Sequence, residues 1–190
     1  MTPPLASTGS SVPHAPSQGT IALPSSVLSH LRRSLQKEVG DLSTTHILQD
    51  AGFATGESLF ASFAGTLDVD PAELGEARFW RELNRHLGAR GWGQVEAERI
   101  HPGVGVLHAS HWAEAAEDGK DGQPGCHFSS GLLAHILSQA AGGPIAVLEI
   151  QCRSRGDTQC SFLYGSEGAI HELYGLLLDG ASLDEALDQL

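Results

Sequence analysis

The sequence predicts an α+β fold, an antiparallel sheet packed with helices and clamped at its last hairpin. Three observations predict it. The hydrophobic period is helical to about residue 90, alternates over 94–108, and then returns to one helix, two strands and closing helices. Glycine and proline mark the changes, at Gly91-Trp92-Gly93, His101-Pro102-Gly103 and Gly142-Gly143-Pro144. All three cysteines, Cys126, Cys152 and Cys160, lie in the final strand-and-helix stretch, with Glu149 three positions before the second.

The elements follow in order. Residues 1–22 are rich in Pro, Ser, Thr and Gly and read as a flexible tail. Ser25 or Ser26 caps a first helix with Val27, Leu28, Leu31 and Leu35 on its apolar face. A second helix runs over 44–67, where Gly52 and Gly56 suit close packing against another element. Asp70-Pro71 starts a third, with Phe79, Trp80, Leu83 and Leu87 inward. Val95, Ala97 and Arg99, then Val104, Val106 and His108, make a hairpin. Residues 116–125 are a loop. Cys126 opens a fourth helix, carrying Leu132, Leu133, Ile136 and Leu137. Residues 145–152 and 159–164 are strands about a turn, and helices cover 166–178 and 182–190, the last with a Ser182–Glu185 capping box.

Composition bounds the function. The 190 residues are 41% hydrophobic, enough for one core without disulfides. Net charge is −12, from 11 basic against 23 acidic residues, with no basic stripe; this argues against nucleic acid and against an anionic membrane surface as partners. No apolar run reaches the roughly 20 residues of a membrane span. The N-terminus lacks a basic and an apolar secretory region, and the cysteine number is odd, which together suit a reducing, cytoplasmic setting.

Three thiolates and a carboxylate complete a tetrahedral shell for zinc. Cys126 at a helix N-terminus favours the thiolate. Cys152 and Cys160 flank a turn that brings them together. In a regular strand Glu149 and Cys152 face opposite ways, so a bulge or a strand end near Gln151 is required. Two other readings stay open on the residues alone: three buried free cysteines, or a Cys152–Cys160 redox pair.

Residues 126–162 resemble the 4-vinyl reductase domain family. The resemblance rests on Cys126 with Gly131 of SSGLLA, on LEIQC with Glu149 and Cys152, and on the RGDTQCSF turn with Gly156, Asp157, Cys160 and Phe162. Phenol-sensing input domains of bacterial transcription activators belong to that family, as more distantly do Golgi transport-particle subunits and a component of a light-independent photosynthetic pigment reductase. The resemblance implies a ligand-binding domain of the NO-signalling/Golgi-transport type over 23–190. It implies one zinc on Cys126, Glu149, Cys152 and Cys160, with iron as the lesser alternative. The helix ending at GWG, the hairpin and SHWAEA occur in family order. A His and a Trp hold the ligand hydroxyl in the phenol sensors. The nearest counterparts here are His86 and Trp112, with His108 on the hairpin as an alternative polar group. His127 reads as solvated or as a donor to a metal ligand, and Glu114, Glu117 and Asp118 as a solvated helix end.

Three functions follow. The first is a stand-alone sensor-type domain with structural zinc, binding a hydrophobic or aromatic ligand and signalling through a homodimer or a downstream partner. The second is an accessory to tetrapyrrole vinyl reduction, and the third a protein-contact scaffold. No nucleotide loop, nucleophile elbow or HExxH is present, and a four-protein-ligand zinc has no open position, so catalysis is not expected.

Overall fold

A computed structural model of the chain describes residues 21–115 and 121–190. Most of the tail, and Glu117 and Asp118, lie outside them. Four helical segments precede or interrupt the sheet, and two follow it. α1 (Ser26–Val39) starts after Ser25, whose side chain makes no capping bond. Its expected apolar face is not the buried one. Ser29 and Arg32 are buried, whereas Val27 and Leu31 are 37% and 46% exposed. The guanidinium of Arg32 finds acceptors in residues 121–124, and this turns the aliphatic stripe outward.

α2 (Asp41–Ala64) and α4 (His127–Ala141) cross at very close range. A Cβ on Gly52 would lie 1.9 Å from the Phe128 carbonyl oxygen, and one on Gly131 would lie 2.0 Å from that of Gln49. The glycines of the two helices are thus reciprocal, each removing the side chain that would hold the backbones apart. Asp70-Pro71 does not open α3 directly. Asp70 caps a single 3-10 turn, Pro71–Glu73, through the Ala72 N–H at 2.9 Å, and α3 (Glu76–Ala89) begins after extended Leu74 and Gly75.

The sheet is antiparallel, in the order β1-β2-β4-β3. Its strands are β1 (Gln94–His101), β2 (Val104–Ser110), β3 (Ile145–Gln151) and β4 (Cys160–Ser166). Side chains alternate between two covered faces. Val95, Leu107, Ala109, Cys160 and Phe162 join α2, α3 and α4 in the larger core. Val104, Val106 and Leu163 pack with Ile170 and Leu173 of α5 (Glu167–Leu178) and Ala186 of α6 (Leu183–Leu187). The Ser182–Glu185 capping box is present. Among the described residues no helix is long and apolar enough to cross a membrane.

Candidate metal centre and buried histidine

Cys126 is the N-cap of α4, Cys152 follows β3, and Cys160 starts β4. The register of β3 slips between Glu149 and Gln151, which pair with consecutive residues Phe162 and Ser161. One extra residue reverses the alternation, so Glu149 and Cys152 reach the same face, as their spacing requires. The four ligand atoms lie within 4.8 Å of one another, close enough to hold a metal ion.

The donor geometry fits a tetrahedral ion. Cys126 Sγ is 3.8 Å from Cys152 Sγ and 3.7 Å from Cys160 Sγ. Metal–sulfur bonds of ~2.3 Å at tetrahedral angles set sulfurs ~3.8 Å apart. A disulfide needs a separation of ~2.05 Å, and all three cysteines are free. Glu149 Oε2 accepts from the Cys126 N–H at 3.0 Å, while its buried Oε1 has no hydrogen-bond partner. That oxygen is the one free to ligate. Gly125 N–H donates to Cys152 Sγ at 3.3 Å, and Asp157 receives the Cys152 N–H at 2.7 Å.

Electrostatics points the same way. Hydrogen bonds from Cys126 and Cys160 hold the Cys152 thiol far below its usual range, so one negative charge settles there. Burial pushes Cys126 well up, and burial with the neighbouring thiolate raises Glu149. For Cys160 a hydrogen bond from Cys126 pulls down, but the Cys152 thiolate and burial outweigh it and lift it to about 12. Four anionic donors in one buried pocket need a cation to ionise together.

Glu114 is buried, not the solvated helix end its EAAED context suggests. Its carboxylate accepts from Phe128 N–H at 2.9 Å and Ser129 N–H at 2.6 Å, capping α4 beside Cys126. Burial raises its pKa to about 7 against those bonds. The partners lie 14 and 15 residues downstream, so no local pattern signals the contact. His127 is half-buried, with Nε2 3.5 Å from Thr45 Oγ1.

The three candidate ligand-contact residues are not brought together. His86 and Trp112 face the larger core, whereas His108 stands on the opposite sheet face, bonded to Ser161 at 3.1 Å and near Glu98. The Trp112 indole N–H is already committed to Ser129 Oγ at 2.8 Å. His86 differs. It is 5% exposed, and its Nδ1 lies 3.1 Å from the Arg90 guanidinium, which can only donate. The ring proton therefore sits on Nε2, which is buried without a partner. Phe63 stands edge-on at 5.4 Å. Burial, then the Arg90 charge, lowers the His86 pKa to about 4, so the ring is neutral at pH 7. The space expected as a cavity between the hairpin and α2 and α3 is filled by Phe63, Phe79, Leu83, Leu87, Val95 and Leu107. A recess of about 160 Å³ lies instead on another side of Trp112, between Ser25, Gly91, His111 and Arg153.

Residues 111–166 match the 4-vinyl reductase domain model, and the resemblance read from the cysteine segment is borne out. The phenol-responsive sensory domain of the transcription activator PoxR, solved with phenol, is 18% identical. It aligns over 77% of this chain and 76% of its own, with a TM-score of 0.62. Trafficking protein particle complex subunit 3 from Naegleria fowleri, covalently bound to palmitic acid, is 12% identical. It aligns over 74% of this chain and 91% of its own, with a TM-score of 0.56. At these identities the likeness is one of fold. No curated protein matches the chain.

Proposed function

We propose that this is a small-molecule-binding, sensor-type domain of the 4-vinyl reductase kind, its fold locked by one zinc ion on Cys126, Glu149, Cys152 and Cys160. The ligand is hydrophobic or aromatic and carries one acceptor oxygen. The observation that carries the ligand reading is His86 Nε2–H, a buried donor with no acceptor inside an aromatic shell. Leaving such a group unpaired costs about 1–3 kcal/mol, which a ligand oxygen would recover. The phenolic ligand of the PoxR domain has that chemistry. Trp112 lines the same core and joins the site only by releasing Ser129. Entry requires Phe63 and Phe79 to swing aside, so binding opens a core that is packed without it.

Zinc is favoured over iron by the closed four-ligand shell, whose role is to hold helix, bulge and hairpin together. The domain passes its ligand state on through a homodimer or a downstream partner, in a reducing compartment that keeps the thiols available.

The test is calorimetry and thermal shift against phenols, tetrapyrroles and fatty acids, with wild type and His86→Phe. Stabilisation of wild type by a hydroxylated aromatic, lost in His86→Phe, supports the reading. No stabilisation by any member, with zinc still bound, favours the scaffold, whose surface would include the exposed Leu42, Ile47 and Phe53 of α2.

A further inference from the structure

We propose that α1 is a latched cover over the metal centre, and that the buried ion pair of Arg32 with Asp121 sets how readily the centre opens. The proposal rests on the metal reading above but concerns residues outside the ligand set.

α1 is seated by charge. Arg32 is 1% exposed, while Val27 and Leu31, the apolar residues one expects to anchor the helix, remain at the surface. Apolar docking would resist lifting at any ionic strength. A charged latch yields to competing ions or to a competing acceptor.

The latch reaches the centre through a short chain of contacts. Arg32 Nη2 bonds Asp121 Oδ2, and Nη1 lies 3.5 Å from the Pro124 carbonyl. Arg33 grips the other oxygen of Asp121 at 3.0 Å. The Asp121 N–H donates to the Ser154 carbonyl at 3.1 Å, inside the turn between Cys152 and Cys160. One aspartate therefore ties α1 to the segments on both sides of the ligand cluster. The guanidinium lies against Gly125, where a Cβ would sit 2.0 Å from Nη1. Gly125 in turn gives its N–H to Cys152 Sγ and precedes Cys126. Freeing Arg32 loosens the residue that hydrogen-bonds one ligand and is joined to another. It also uncovers a path for water and chelators to sulfurs that are otherwise fully buried.

The experiment uses the full chain in two arms. The first follows transfer of Zn²⁺ from loaded protein to a chromogenic chelator. The second follows modification of the three thiols by an aromatic disulfide reagent in metal-stripped protein, below its melting transition. Arg32→Met, similar in length and without charge, should speed both by about tenfold or more. Raising NaCl from about 0.1 M to about 1 M should speed wild type and leave Arg32→Met unchanged. If Arg32→Met is insoluble, Gly125→Ala displaces the guanidinium while keeping the backbone N–H, and the same acceleration is expected. Equal rates in wild type and either soluble variant overturn the latch. A wild type that takes up no zinc overturns the metal reading, and the thiol arm then still decides the latch.

Discussion

At the residue scale, His86 and Glu114 are ionisable groups buried for opposite reasons. The folded-state pKa of His86, about 4, lies below the ordinary 6.5, so folding disfavours its protonation. The stability that neutral His86 preserves is complete above about pH 6.5 and is lost as pH falls towards 4, on the order of 2 kcal/mol. Denaturant melts at pH 7 and pH 4.5 should show a smaller acid loss in His86→Gln than in wild type; equal losses contradict the buried neutral ring. Glu114 spends its carboxylate on two N–H groups of α4. Glu114→Ala leaves them unpaired and should cost about 1–3 kcal/mol in urea unfolding, with Glu114→Gln milder. The ligand quartet was legible because cysteine and glutamate spacing carries chemistry. Glu114 and Arg32 were not, because each acts on partners far away in sequence, and EAAED and LRRS look like ordinary solvated charge.

The bulge in β3 is the element that makes the centre. The spacing of Glu149 and Cys152 demanded it, and the register slip between Glu149 and Gln151 supplies it. The α2–α4 crossing is the second such element. Gly52 meets backbone, not a movable side chain, so Gly52→Ala should push α4 away and cost about 1–3 kcal/mol in chemical unfolding. Because α4 begins at Cys126, the same variant should also bind metal more weakly in a chelator competition. Unchanged affinity would separate the crossing from the centre. The paired glycines were visible in the sequence, but their partner was not, and they are spent inside the chain. α1 shows the converse. A clean aliphatic spacing predicted the inward face, yet a guanidinium with buried acceptors outweighed half-buried leucines.

For the whole molecule, the two cores share one sheet, and only the larger one touches the metal ligands. Aliphatic side chains on α1 and α2 remain outside both. A homodimer covering them should bury about 1,600 Å² in total, and light scattering should give about twice the 20.0 kDa chain mass. A monomer mass at micromolar concentration contradicts that. Fold class and element order were legible because the hydrophobic period changes with glycine and proline at each boundary. The filled core beside His86 was not, since packing density leaves no trace in the order of residues.

The central claim is that a closed metal shell organises this fold. X-ray absorption at the zinc edge on purified protein, with elemental analysis, tests it most directly. One zinc per chain is predicted, with three sulfurs at ~2.3 Å and one oxygen at ~2.0–2.2 Å. Protein that is folded and metal-free, with three reactive thiols or a Cys152–Cys160 disulfide, would contradict it.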